Sequence, residues 1–328
     1  MKKLLLLALV LLLSACAQPE PAQSDLFAMD TIINVKIWGN EAEDALHAVT
    51  QKINDSSARF SVTTEGSELY LLNQDGSAAL SEDFSSLLAQ AVSLSERTGG
   101  AFDPTVYPLV RLWGFTAQEY HVPNAYELEQ TLQLCGLQKL HLFGANATLG
   151  AGAMLDLGAI AKGWTGQHCA ELLESYNIDA ALLALGGNVQ TVGTKPDGSA
   201  WVIGIANPET PSEAIATLRF TGSRAVVTSG SYQRYFEEDG IAYHHILNPQ
   251  SGLPAQSGLL SVTVIADDGT LADALSTALF VMGLDDATAF WRESDDFEAV
   301  FITDSGEIFA SEGAASLLSD CVFTVIAR

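Results

Sequence analysis

The chain has 328 residues, with 40 acidic against 15 basic side chains and a formal charge of −25. A surface this acidic argues against nucleic acid as a partner, and it repels other polyanions unless a divalent cation masks the local field. Cys135, Cys169 and Cys321 have no CxxC spacing, which argues against zinc-finger and dithiol redox chemistry; they read as small core residues.

Residues 1–15, MKKLLLLALVLLLSA, join a lysine pair to an apolar run too short for a comfortable membrane span, the anatomy of a secretory signal. The sequence LSAC resembles the lipobox of bacterial lipoproteins, which implies lipidation of Cys16 and anchoring on the extracytoplasmic face of a membrane. The alternative is a secreted protein cut after Ala15. Residues 16–25 read as a tether and 26–328 as the folded domain. Losing Lys2 and Lys3 leaves 13 basic side chains and a charge of −27.

Alternation in TIINVKIWG predicts a strand over 31–39, and apolar periodicity predicts helices near 41–57, 81–98 and 124–135. A hairpin over 139–149 precedes a helix opening at Ile160. Strand-like segments follow at 180–187, 201–207, 215–221, 225–229, 242–247, 259–267, 299–304 and 308–311, with a long helix over 270–283. Helices and strands do not alternate strictly, so the pattern predicts an α+β fold instead of a doubly wound parallel sheet.

In TLADALSTALFVMG most of the helix surface is apolar, and Asp273 and Thr277, four residues apart, share one face. A hard divalent cation would satisfy both oxygens; alternatively Thr277 bonds back to the carbonyl of residue 273 and Asp273 serves the helix dipole. Asp156 closes the strand AMLDL ahead of Gly158, either at a ligand-binding turn or as a cap on the next helix. Lys162 falls in the first helical turn, where partial positive charge already resides, so it needs an anion nearby. The adjacent His244 and His245 point to opposite faces of a strand; the structural role falls to His244. NPQSGLP is a turn. Asp103 precedes a proline among aromatics, as a site residue or as a polar cap.

The segments MDTIINV, FDPTVYPLVRLWGF, LDLGAIAKGW, LLALGGNVQTVG, TSGSYQRYFEEDGIAYHHILNPQSGLP and SVTVIADDGTLADALSTALFVMG, in that order from Met29 to Gly283, resemble the ApbE family of FAD:protein FMN transferases. The resemblance implies a two-lobed, T-fold-like α+β architecture with a flavin cleft between the lobes. It implies a magnesium site on the Ala159 carbonyl, Asp273 and Thr277. FAD contacts are implied at Met29, Ala101, Phe102, Asp103, Asp156, Lys162, Ile246 and Leu247, and His245 near the pyrophosphate. Lys162 would then face that pyrophosphate. The implied activity is Mg²⁺-dependent transfer of FMN from FAD to a Thr or Ser hydroxyl of an acceptor flavoprotein, releasing AMP, with Asp273 or His245 handling the hydroxyl proton. The rivals are an FAD pyrophosphatase giving FMN and AMP, and a non-catalytic FAD-binding lipoprotein. Thr63 stands where relatives carry a flavin-proximal aromatic or amide side chain, and a threonine cannot stack on the ring.

Overall fold

A computed structural model describes residues 20–328, and it opens on an element that the sequence does not predict. Strand β1 (Ala22–Ala28) pairs antiparallel with β2 (Thr31–Gly39), so residues 22–25 belong to the edge of a sheet and not to the tether. Nothing in AQSDLFA demands a strand. Its backbone groups find partners on the open side of β2, and that pairing fixes its shape. The signal segment and Cys16 lie outside the described residues. In β2 the alternation holds: Ile33, Val35 and Ile37 are fully buried and pack with helix α1 (Ala42–Arg59).

Next come α2 (Glu68–Asp75), β3 (Ser77–Ala79), α3 (Glu82–Arg97), α4 (Tyr107–Leu112), α5 (Ala125–Leu132), β4 (Leu140–Phe143) and β5 (Asn146–Leu149). The expected helices at 41–57, 81–98 and 124–135 correspond to α1, α3 and α5. Ser81 accepts from the Phe84 N–H to cap α3, and Asn124 and Glu127 form a capping box on α5. The short helices α2 and α4 are additions to the predicted set.

The rest of the chain forms α6 (Ala161–Leu173), β6 (Ile178–Leu185), β7 (Asn188–Gly193), β8 (Trp201–Ala206), β9 (Ala214–Phe220), β10 (Arg224–Gly230), β11 (Tyr235–Glu238), β12 (Ile241–His244) and β13 (Leu259–Ala266). Helices α7 (Gly269–Met282) and α8 (Leu284–Arg292), strands β14 (Phe297–Thr303) and β15 (Ile308–Ser311), α9 (Glu312–Ala315), β16 (Leu318–Ser319) and β17 (Thr324–Ile326) complete it. Nine strands form one sheet in the order β1-β2-β6-β7-β10-β13-β14-β15-β17, antiparallel except for the β15–β17 pair. This is the α+β class that the sequence implies.

One face of this sheet carries α1, α6 and α7, while Trp201, Ile205, Leu218 and Phe220 of β8 and β9 pack on the other. Helix α7 serves two cores. Leu275 and Leu279 meet the sheet residues Val262 and Val264, whereas Ala274 and Ala278 join Phe84, Leu87 and Trp164 in a second cluster built from α2, α3, β4, β5 and the start of α6. A helix buried between two bodies is apolar nearly all round, which explains its composition. Among the described residues no helix is long and apolar enough to cross a membrane.

Candidate active site

Helices α6 and α7 cross at two glycines. A Cβ on Gly163 would lie 2.1 Å from the Gly269 carbonyl oxygen and 2.5 Å from the Asp273 Cβ, so only glycine permits this approach. The contact carries Asp273 to the first turn of α6, where its Oδ2 accepts from the Gly163 N–H at 2.7 Å. Asp273 is only 4% exposed, and this charge-assisted bond meets one of the helix's orphaned donors. The carboxylate therefore serves the dipole of α6, not that of its own helix, which Asp268 caps through the N–H groups of Thr270 and Leu271. Because Gly163 donates to Asp273, the carbonyl of Ala159 four residues earlier lacks that donor. Ala159 thus stands just before the helix start that Asp273 caps, and Thr277 lies one turn further along α7.

The back-bond expected of Thr277 belongs to its neighbour: the Ser276 hydroxyl donates to the Asp273 carbonyl at 2.8 Å, and Thr277 Oγ1 lies 3.1 Å from Ser229 Oγ. Among the described residues no three His, Cys, Asp or Glu side chains cluster to hold an ion. Any cation here must rely on one carboxylate with carbonyl and hydroxyl oxygens, a donor set that suits hard ions such as Mg²⁺.

A second group sits on the loop before α6. Asp156 is half-buried; desolvation raises its carboxyl above the ordinary value, against the pull of the Gly158 N–H, Arg234 and Lys162, while Asp30 pushes it further up. Lys162 Nζ reaches back to the Gly158 carbonyl at 3.1 Å, so this lysine turns away from the helix interior and toward Asp156. Arg234, which the sequence did not single out, donates to the Phe115 carbonyl at 2.7 Å. It is legible only as part of a motif, since its hairpin position gives no periodic signal.

The two histidines have different partners, and His245 falls just past the end of β12. His244 Nε2 lies 3.1 Å from the Ala255 carbonyl, and its ring stacks edge-on with Phe280. His245 Nδ1 lies 3.1 Å from the Arg234 carbonyl. A carbonyl only accepts, so Nδ1 carries the hydrogen and Nε2 keeps a free lone pair. Desolvation, aided by Arg234, His244 and Lys162, pushes the His245 pKa down to about 3, and the ring is neutral.

The apolar contacts fall into two sets. Met29, Ala101 and Ala159 each pack, half-buried, against the core cluster that includes Phe102. Met29 and Asp30 form the β1–β2 turn with φ of 51° and 58°, a type I′ geometry usually given to Asn-Gly, and such strain in bulkier residues accumulates at functional sites. The side chains of Phe102, Ile246 and Leu247 are buried in cores, so any ligand contact there runs through backbone atoms. Asp103 Oδ1 accepts from both the N–H and the hydroxyl of Thr105, at 2.7 Å each, which ties the carboxylate to the following turn. Thr63 is exposed on a turn organised by Ser61. Two cavities of about 310 and 460 Å³, lined by Lys36, Trp38 and Asn34 among others, open on the face of β2 away from α1 and include none of the predicted site residues.

A mostly antiparallel sheet backed by crossed helices, with a buried carboxylate at the head of one helix and Lys162, Arg234 and a neutral His245 in electrostatic reach of one another, defines an α+β class of protein. Comparison with known proteins narrows this class. The chain belongs to the ApbE family, whose model matches residues 29–301. It is 34% identical over 306 residues to the FAD:protein FMN transferase of Treponema pallidum (strain Nichols), covering 86% of this chain and 84% of the relative. Among solved structures, the ApbE protein of Thermotoga maritima superposes with a TM-score of 0.85 at 32% identity, over 92% of this chain and 100% of the other. The apo flavinyl transferase ApbE of Pseudomonas stutzeri gives a TM-score of 0.82 at 29% identity, over 94% and 99% of the two chains.

Proposed function

We propose that this chain transfers the FMN half of FAD to a Thr or Ser hydroxyl of an acceptor flavoprotein, releases AMP, and requires Mg²⁺. The same reading places it on the extracytoplasmic face of a bacterial membrane, anchored by lipid on Cys16. The observation that carries the reading is the adjacency of two unlike subsites through residues 156–163: Lys162 and Asp156 with Arg234 and His245 on one side, and Asp273 reached through Gly163 on the other. A dinucleotide pyrophosphate with a bound cation is a ligand that uses both.

In this reading Lys162 and Arg234 hold pyrophosphate oxygens, while Met29 and Ala101 line the apolar margin where a flavin ring packs. Mg²⁺, held by Asp273, Thr277 and the Ala159 carbonyl, would neutralise charge developing on the transferred phosphoryl group. The acceptor oxygen forms its bond to the FMN-side phosphorus as the bond to the AMP oxygen breaks. The hydroxyl proton goes to His245 Nε2, the free lone pair of the neutral ring. Desolvation, with Arg234 and Lys162, holds the proton affinity of His245 down, and the negative charge of an arriving pyrophosphate would offset the part that the two cations contribute.

Incubation with FAD and Mg²⁺, with and without an acceptor domain, tests the proposal. Covalent flavin on the acceptor supports it. Free FMN and AMP with or without acceptor would identify a pyrophosphatase, and unchanged FAD a binding protein.

A further inference from the structure

Three hydroxyls link β10 to α7 next to the proposed metal ligands: Thr277 Oγ1 lies 3.1 Å from Ser229 Oγ, Ser229 Oγ 2.7 Å from Ser276 Oγ, and Ser276 Oγ 2.8 Å from the Asp273 carbonyl. Their polarity follows from counting hydrogens. The carbonyl end supplies none, so the bond to it uses the hydrogen of Ser276. Ser276 can then only accept from Ser229, which spends the hydrogen of Ser229. Ser229 in turn can only accept from Thr277. Three hydrogens fill three contacts in one way, and reversing any bond leaves two oxygens facing each other without a hydrogen between them.

We infer that Ser229 and Ser276 are positioning residues that commit the hydrogen of Thr277 Oγ1 to Ser229, so that toward any other group this oxygen can only offer its two lone pairs, which are presented to a cation. The inference rests on the proposed Mg²⁺ site and extends it to residues that touch no metal. Ser276 is fully buried and Asp273 nearly so, which shields the carbonyl end of the chain from exchange with water, while Ser229 and Thr277 are half-buried. The far end of the chain is the backbone carbonyl of Asp273, whose own side chain is the proposed anionic ligand. One residue thereby fixes both the carboxylate and, through two serines, the orientation of the hydroxyl one turn away.

The test is Mg²⁺ binding to the intact protein by isothermal titration calorimetry, with no turnover involved. Ser229→Ala should weaken Mg²⁺ binding roughly 5- to 10-fold, the weight of about one hydrogen bond. Ser229→Thr, which keeps the hydroxyl, should restore most of it. In a Thr277→Val background the Ser229→Ala change should add nothing, because Ser229 acts only through Thr277. Wild-type affinity in Ser229→Ala, or full additivity with Thr277→Val, overturns the inference. Asp273→Ala separates the two levels: if it abolishes Mg²⁺ binding while Ser229→Ala leaves binding intact, the metal site stands and the hydroxyl chain falls. If Asp273→Ala binds Mg²⁺ normally, the site itself is wrong. Circular dichroism and thermal melts confirm that each variant folds.

Discussion

Gly163→Ala is the sharpest probe of the site, because its cost can be worked from one contact. The added Cβ would sit 2.1 Å from the Gly269 carbonyl oxygen, whereas a carbon–oxygen contact relaxes only beyond about 3.3 Å, so α6 and α7 must part by about 1 Å. Overpacking of this kind costs about 1–3 kcal/mol. Separation also stretches the 2.7 Å bond from the Gly163 N–H to Asp273, a charge-assisted bond worth about 1.5–3 kcal/mol. Alanine returns about 1 kcal/mol of helix propensity. The net loss is about 1.5–5 kcal/mol, which lowers Tm by roughly 2–8 °C for a domain of this size. Gly166→Ala is the control on the same helix: its Cβ would meet Gln190 and Leu185 carbons at 3.6 and 3.7 Å, ordinary contacts, so Tm should hold or rise. Paired differential scanning calorimetry and Mg²⁺ titration read both variants. Equal Tm values for the two, with wild-type Mg²⁺ affinity in Gly163→Ala, would refute the helix crossing as the scaffold of the site.

His245 is depressed to about 3 from an ordinary 6.5, so between those values the unfolded chain binds a proton that the native chain refuses. Its contribution to stability is therefore present above about pH 6.5 and lost as pH falls toward 3; His245→Gln should flatten that part of the Tm–pH curve. Asp156, raised by burial, acts with the opposite sign and favours the folded state at acid pH, so Asp156→Asn should steepen the fall. Lys162→Ala removes a single bond to the Gly158 carbonyl and should leave Tm nearly unchanged while weakening FAD binding, measured by flavin fluorescence; normal binding with an early melt would make the lysine structural. Cys16→Ser should move the protein from the detergent phase to the aqueous phase, and unchanged partitioning would refute the lipid anchor.

What the sequence made legible follows from how local each signal is. The strand at 31–39 is read with its observed bounds because period-two alternation is a property of the segment itself. Helix α7 is legible from its apolar run, and the Asp273–Thr277 pair from its spacing. Ser229 is not legible, because it meets α7 only through sheet-to-helix packing across nearly fifty residues of chain. Edge strand β1, AQSDLFA, mixes polar and apolar residues without alternation, and only its partner shows it to be a strand. Asp103 illustrates the converse: a carboxylate beside proline reads as a ligand or as a cap alike, and its bonds to Thr105, two residues on, give no periodic signal.

Strand β1 also acts as a ruler. With lipid on Cys16, the six steps to Ala22 span at most about 20 Å, and the seven residues of β1 add about 23 Å before the chain reaches the strained Met29–Asp30 turn. That turn therefore lies within about 45 Å of the bilayer surface, and the stiff pairing of β1 with β2 permits no further extension. If the proposed anchor and transfer hold, an acceptor hydroxyl would have to come inside that radius, which would restrict flavinylation to proteins embedded in, or held close against, the same membrane.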